Sequence, residues 1–355
     1  MAQNSTKTVY VGMSGGVDSS VTAALLKEQG YNVVGVYMKN WSQDLPGMPC
    51  PWKDDYQDAK RVAVQLDIPF KMYDFETEYR QKVVDYMIAE YQAGRTPNPD
   101  IMCNQEVKFK LFLDTALADG ADMIATGHYA RVQNGRLLTA ANSDKDQTYF
   151  LYRVTEDALN KCLMPIGEFS TKEEVRDMAK KLNLVTAQKK DSQGICFVGK
   201  VGIRDFLSQY VTTRPGVIKE QNGIVVGEHD GAIFYTIGQR HGLNVGGGLP
   251  YYVVGKDMEK NEVYVTTDLD DPGLWKDVLN LTDIHWINSV PDMTKSYQIR
   301  TRHRAPLVDG DLVAVDEDGT TKLQVKLSDK IRAITPGQST VIYDGQYVVG
   351  GGIVV

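Results

Sequence analysis

Gly12-Met13-Ser14-Gly15-Gly16-Val17-Asp18-Ser19-Ser20 joins an apolar run, Thr8 to Gly12, to the segment Ser19 to Gln29. In that segment Val21, Ala24 and Leu25 recur at helical spacing until Gly30 stops it. A strand, a glycine turn and a helix in that order form a phosphate cradle. Glycines let the backbone turn tightly and aim successive N–H groups into one concavity, and the helix N-terminus adds partial positive charge. Ser14 and Ser19 can donate hydroxyls, and Asp18 can hold Mg²⁺ on the phosphates. The stretch lacks the Gly-Lys-Ser/Thr ending of a Walker A loop and is not the dinucleotide G-x-G-x-x-G. Gly194 to Lys200 has Walker spacing, but Val201 follows it and Lys-Lys-Asp-Ser-Gln precedes it, so it is set aside.

Outward from this turn, strand and helix patterns alternate. Val33 to Met38, Phe70 to Tyr73 and Met123 to Thr126 read as strands; Asp54 to Leu66, Glu76 to Tyr91 and Ser170 to Leu182 read as helices. Phe109, Phe112, Leu113, Ala116 and Leu117 stripe a further helix that Gly120 ends. This alternation predicts an α/β fold with a parallel sheet covered on both faces. Past residue 205 the rhythm changes. Asn222-Gly223, Asp230-Gly231, Asp318-Gly319 and Asp344-Gly345 are hairpin signals, and Leu323, Val325 and Leu327 alternate with Gln324 and Lys326. The expected division is an α/β unit over 1–205, a small β unit over 206–275 and a second β unit over 276–355.

The 355 residues are 42% hydrophobic and 24% charged, which excludes collagen-like and wholly disordered classes. No apolar stretch is long enough to span a bilayer, and polar Met1 to Lys7 lacks the apolar stretch of a signal peptide. Four cysteines make no disulfide scaffold and fit no zinc spacing, so a cytoplasmic protein with reduced thiols and no bound metal is expected. A net charge of −7 excludes a histone-like binder, leaving nucleic-acid contact to a local patch.

Two cysteines lie in suggestive surroundings. Asn98-Pro99-Asp100-Ile101-Met102-Cys103-Asn104 is a proline-stiffened loop in which Asn104 reads as a helix cap. That places Cys103 at a helix N-terminus, where a thiolate is favoured, with Asp100 close enough to exchange a proton. Cys196 follows Lys189-Lys190-Asp191-Ser192-Gln193-Gly194, whose lysines favour a thiolate. Two separated thiols can pass sulfur by persulfide exchange; equally, each can be a packed core residue. Thr126-Gly127-His128-Tyr129 follows a strand and Met38 ends another, positions that line ligand pockets in open α/β sheets. Gln298, Arg300, Arg302 and Arg304 fall on one face of an inferred strand, suited to phosphate or to a solvated surface.

Together, GMSGGVDSS, GRTPNPDIMCN, ATGHYAR, DKDQTYFL, KKDSQGICF, FYTIGQRHGL, RTRHRAP and TPGQ resemble the bacterial tRNA-specific 2-thiouridylases of the pyrophosphatase-loop superfamily. The matching segments run in family order from about residue 9 to 340. The resemblance implies a nucleotide-binding α/β domain, a small central β domain and a C-terminal β-barrel. It implies ATP on Gly12, Met13, Ser14, Gly15, Gly16, Val17, Asp18 and Ser19, with Met38 and Gly127 at the adenine and ribose side. Cys103 would be the nucleophile and Cys196 the persulfide carrier, joined in a transient disulfide, with Asp100 assisting. Asn98, Pro99 and Asp100 would touch the target base. His128, Lys145, Asp146, Gln147, His303, Arg304 and Gln338 would contact tRNA at the anticodon loop, where the wobble uridine lies. A persulfide donor, such as a cysteine desulfurase or sulfur-relay protein, and a monomeric state are further expectations. The departures are His303, where the family pattern has Tyr, and the segment 42–53, which holds Cys50.

Two competing classes remain open at this level. A ligase using the same loop on a small substrate would release AMP without tRNA or thiols. An RNA-binding module sensing ATP would use the arginine face and no sulfur carrier.

Overall fold

The computed structural model describes residues 6–44, 50–190, 202–243, 245–246, 248–317 and 320–355. The strands β1 (Thr8–Gly12), β2 (Asn32–Lys39), β3 (Phe70–Asp74), β4 (Met123–Ala125), β5 (Ala130–Gln133), β6 (Arg136–Thr139) and β7 (Cys162–Leu163) come first along the chain. Interleaved with them are helices α1 (Val17–Glu28), α2 (Trp52–Gln65), α3 (76–92), α4 (99–118) and α5 (Lys172–Lys181). Helices α3 and α4 each contain a π-helical stretch, Arg80–Val84 and Cys103–Leu111.

Five strands form one parallel sheet in the order β3-β2-β1-β4-β7. Val9 and Val11 of β1 bury on the side of α1 and α5, while Tyr10 buries with Phe112 of α4 and Tyr79 of α3. Both faces of the sheet are therefore covered, as a parallel sheet requires. The strand order reverses direction between β1 and β4. In such sheets, the carboxyl ends on either side of the reversal open into a crevice. The glycine turn leaves β1 and the segment Thr126-Gly127-His128 leaves β4, so both face this crevice.

Beyond residue 205, β8 (Gly216–Glu220), β9 (Val225–His229), β10 (Tyr252–Asp257) and β11 (Glu262–Thr266) make a four-stranded mixed sheet around Ile218, Val253, Val263 and Val265. The last six strands, β12 (Trp275–Trp286), β13 (Ser296–Arg300), β14 (Val308–Glu317), β15 (Thr320–Arg332), β16 (Ser339–Asp344) and β17 (Tyr347–Val354), are antiparallel and close into a barrel. Closure comes from β12 pairing with both β15 and β17. The expected α/β parallel sheet and C-terminal barrel are both present, and Leu323, Val325 and Leu327 point inward as their alternation predicts.

The barrel is fused to the α/β unit by shared structure. The β5–β6 hairpin joins the barrel sheet through Leu138↔Tyr347 and Leu137↔Val348. Tyr149 and Tyr152 bury completely beside Val341 and Tyr343, with the Tyr149 hydroxyl donating to Ser339 O at 2.8 Å and the Tyr152 hydroxyl 3.1 Å from Ser339 Oγ.

Several local expectations are corrected. The helix carrying Cys103 begins at Pro99, with Asn98 as its cap accepting from Asp100 N at 3.2 Å. Proline at the first helical position suits its fixed φ and missing donor. Asn104 is consequently inside the helix, buried, with its amide donating to Phe150 O at 3.0 Å. Helix α5 opens after Thr171, whose side chain forms a capping box with Glu174, so it starts later than Ser170. Strand β13 ends at Arg300, and Arg302 and Arg304 lie in the turn beyond it, Arg304 with φ +64°. The four-residue polar face does not form. Asp230-Gly231 leads into a 3₁₀ turn at Ala232–Phe234 instead of a hairpin, whereas Asn222-Gly223 and Asp344-Gly345 do turn between paired strands. Asp318-Gly319 lies outside the described residues.

Tyr149→Phe is expected to cost about 1–3 kcal/mol, because it leaves the buried Ser339 carbonyl without its short donor. Urea unfolding followed by tryptophan fluorescence should show a lower midpoint; an unchanged midpoint would mean that hydroxyl contributes nothing to the junction.

Candidate active site

The glycine turn is organised by its own hydroxyls. Ser19 Oγ accepts from Ser14 N at 3.2 Å, lies 3.3 Å from Ser14 Oγ and donates to Gly16 O at 3.2 Å; Ser20 Oγ donates to Gly16 O at 2.7 Å. Gly16 caps α1 in extended conformation with no side chain closing the helix end. The first-turn N–H groups of α1 are thus left facing the crevice. Gly15 has φ +76°, and a Cβ there would stand 2.3 Å from Asp55 O of α2. Only glycine fits both demands.

Gly127 closes the opposite side. A Cβ on it would lie 2.8 Å from Ser19 N, so the turn after β4 lies directly against the first turn of α1. Met38 reaches the same edge, where a Cβ on Gly12 would touch its Cε at 3.0 Å and Phe112 at 3.5 Å. Gly12 to Ser19, Met38 and Gly127, expected to form one nucleotide site, are brought together around one crevice.

Next to Gly127, His128 is buried, with Nδ1 2.8 Å from Thr126 Oγ1 and Nε2 3.5 Å from Lys108 Nζ, its ring 5.6 Å from that of Phe109. Burial, helped by the Lys108 charge, pushes its pKa well below the ordinary value, so the ring is neutral. Asp100 responds oppositely. Burial raises its carboxyl pKa, and Lys108 opposes this rise. Lys108 therefore bears on both groups and ties the start of α4 to the turn after β4. Cys103 and Phe109 both lie in the π-helical stretch of α4. Cys103 is buried, on the same helix as Asp100 and one turn along from it.

A path of contacts leads from there to the barrel. Asn104 donates to Phe150 O, and the Phe150 ring lies 4.5 Å from that of His303. Burial, then Arg304 and Arg300, lower the His303 pKa to about 4, so it too is neutral at physiological pH. Thr96 N donates to Pro336 O at 2.8 Å, and a Cβ on Gly337 would meet Thr96 N at 2.8 Å, which seats the Asn98-Pro99 segment on the turn containing Gln338. Arg304 is exposed and Lys145 half-buried. Gln147 accepts from Tyr129 N at 2.8 Å. Asp146 is nine-tenths or more buried: Oδ1 accepts from Ala140 N at 2.9 Å, and Oδ2 accepts from Thr148 Oγ1 at 2.7 Å and lies 3.4 Å from Arg300. An RNA contact at Asp146 would have to break these internal bonds.

Cys196 lies outside the described residues, and with it the expected Cys103–Cys196 pairing. Its upstream stem is described. Lys189 Nζ lies 2.8 Å from Asp55 Oδ1 and 2.7 Å from Asp58 Oδ2, so this lysine is engaged by carboxylates of α2. Cys50 is half-buried, and burial raises its thiol pKa; Cys162 is fully buried and pushed up to about 12. Both shifts disfavour the thiolate that a nucleophile needs. Among the described residues no cluster of His, Cys, Asp and Glu is arranged to hold a metal.

Sequence reading missed Lys108 and Phe150. Lys108 falls on a helix face that reads as solvated.

A glycine loop at a sheet reversal, joined to a buried cysteine helix and clasped by a barrel, defines a nucleotide-binding α/β enzyme of the pyrophosphatase-loop class. Family models match residues 7–200 (tRNA methyl transferase HUP domain), 204–267 (tRNA methyl transferase PRC-barrel domain) and 276–354 (aminomethyltransferase beta-barrel domain). The tRNA-specific 2-thiouridylase MnmA of Bacillus subtilis strain 168 is 48% identical over 98% of this chain and 94% of its own length. That of Listeria monocytogenes serotype 4b strain CLIP80459 is 48% identical over 99% and 95%. The chain belongs to the tRNA-specific 2-thiouridylase family. A 4-thiouridine synthetase–RNA complex with bound ATP aligns over 58% of this chain and 50% of that one at 17% identity and TM-score 0.39, a likeness too loose to argue from. These relatives do not favour a small-substrate ligase.

Because Asp100 is held neutral more readily when folded than when unfolded, its ionisation opposes folding above the ordinary carboxylate range. Asp100→Asn should therefore melt at higher temperature than the wild type at pH 8. The gap should close toward pH 4, where the unfolded carboxyl also takes up its proton, at about 3.9. Equal melting temperatures at pH 8, read by calorimetry, would contradict a desolvated carboxylate.

Proposed function

We propose that this chain adenylates O2 of the wobble uridine of tRNA with ATP and replaces that oxygen with persulfide-derived sulfur, giving 2-thiouridine. The observation that carries this reading is the full-length 48% identity to tRNA-specific 2-thiouridylases. In support, the glycine loop, Gly127 and the Asp100–Cys103 turn lie on elements that meet at one end of the sheet. The C2 oxygen of uracil leaves poorly. Its attack on the α-phosphorus breaks the bond to pyrophosphate, and the adenylated oxygen then leaves as AMP. The terminal persulfide sulfur on Cys196 attacks C2; Cys103 thiolate attacks the inner sulfur, freeing the thiouridine and forming the Cys103–Cys196 disulfide, which a reductant resets. If Cys103 instead attacks the persulfide first, it releases sulfide as the attacking species and leaves the same disulfide.

Asp100, with its raised pKa, is suited to take the N3 proton as O2 attacks. Asn98 and Pro99 hold the base, which sits in a single-stranded loop and can be splayed out. His128, Lys145, Gln147, His303, Arg304 and Gln338 line the way toward the barrel as tRNA contacts. Mg²⁺ would accompany the triphosphate, and Asp18 is the loop carboxylate that would hold it. The sulfur comes from a persulfide donor such as a cysteine desulfurase or relay protein. The chain works as a monomer in the cytoplasm, and no helix among the described residues is long and apolar enough to cross a membrane.

Cys103→Ser and Cys196→Ser should each abolish 2-thiouridine, measured by mass spectrometry of digested tRNA, while ATP binding survives. Full thiolation by either variant would refute the sulfur route.

A further inference from the structure

After Gly94 N donates to Tyr91 O at 2.9 Å and closes the end of α3, the residues Arg95, Thr96 and Pro97 lead to Asn98, the cap of α4. Thr96 is buried in the middle of this bridge, and each of the other two units holds one of its polar groups. Its N–H donates to Pro336 O of the barrel at 2.8 Å, and its hydroxyl lies 3.3 Å from Thr236 Oγ1 of the central unit. The loop carrying Thr236 is itself fixed. Thr236 N donates to Gln239 Oε1 at 3.0 Å, Lys256 Nζ to Tyr235 O at 2.8 Å and Gly238 N to Val253 O at 2.7 Å. A Cβ on Gly238 would overlap that of Ala333, so the same loop abuts the barrel. Three units therefore meet around one threonine, four residues before Asp100.

The chain from Thr96 to Pro99 is a stiff strut. Pro97 and Pro99 have fixed φ, and Thr96 and Asn98, each preceding a proline, are confined to extended conformations. Asn98 has φ −113° and ψ 97°, and its side chain accepts from Asp100 N. A shift at Thr96 is therefore carried forward to Asn98, Pro99 and Asp100 rather than absorbed between them. None of the candidate site residues lies in the sheet β8–β11, yet its loop touches the root of this strut. That contact is a route by which the central unit bears on the site.

We propose that Thr96 and Thr236 form a positioning pair, whose hydroxyl contact lets the central unit set where Asn98, Pro99 and Asp100 meet the target base. This rests on the reading given under Proposed function. The pair acts through the strut and not on the base itself. Its loss leaves the nucleotide crevice and the tRNA contacts intact and displaces the group that takes the N3 proton. Misplacing a reacting group by about 1 Å can slow a reaction on the order of a hundred-fold, and losing one neutral hydrogen bond shifts an equilibrium by up to roughly ten-fold.

The test is single-turnover release of pyrophosphate from ATP by the full-length protein over a range of concentrations of unmodified tRNA. It separates the rate at saturating tRNA from the tRNA concentration at half-maximum, and needs no sulfur donor. Thr96→Val and Thr236→Val should each slow the saturated rate roughly ten-fold or more, with the half-saturating tRNA concentration changing less than about three-fold. The double variant should be no slower than the slower single one, because the two hydroxyls act as one contact. Thr96→Ser, which keeps the hydroxyl, should stay within about three-fold of the wild-type rate. A merely structural role would lower the amplitude, the fraction of protein that reacts, and leave the rate of the rest unchanged. Wild-type rates in both valine variants, losses that multiply in the double variant, or an effect confined to amplitude or to tRNA concentration would overturn the pair and leave the adenylation reading standing. A wild type that releases no pyrophosphate with tRNA would overturn both.

Discussion

The contact between Gly127 and the first turn of α1 is the constraint on which the site depends. Any side chain at residue 127 would stand within 3 Å of Ser19 N, so the two loops flanking the sheet reversal can meet only because one of them is bare backbone. Gly15 does the same against Asp55 on the other side. Between these two approaches the helix end stays open, and its unpaired N–H groups are available to a ligand. The hydroxyls of Ser14, Ser19 and Ser20 then fix the loop without occupying it.

Burial tunes the chemistry around this opening. His128 and His303 are both driven toward the neutral form, one by full enclosure and one by enclosure with two neighbouring guanidiniums. Asp100 is driven toward the protonated form. Neutral imidazoles and a carboxyl of raised pKa thus limit the net charge on the side chains along this path. Lys108 works against the rise that burial imposes on Asp100.

Much of this was legible in the chain itself. Period-two and period-3.6 patterns revealed the alternating strands and helices, and the glycine turn stood out because its geometry demands particular residues. Helix starts were misread where two caps competed. Asn98 and Asn104 are both capping residues, and the deciding factor was Pro99, whose fixed φ favours the earlier start. The arginine row failed because alternation cannot show where a strand stops. Lys108 stayed hidden because a lysine on a helix normally faces water, and only tertiary packing shows that this one does not.

The β5–β6 hairpin leaves the α/β unit to complete the barrel sheet, and Tyr149 and Tyr152 follow it into the barrel wall. The C-terminal unit therefore cannot be treated as a detachable accessory. A protein shortened before Trp275 would leave the Leu137–Leu138 edge without its neighbour and strip cover from a patch of tyrosines, creating an adhesive rim prone to self-association. The length of this chain is thus constrained from within: the edge and the tyrosines of the first unit stay covered only when its far end is present.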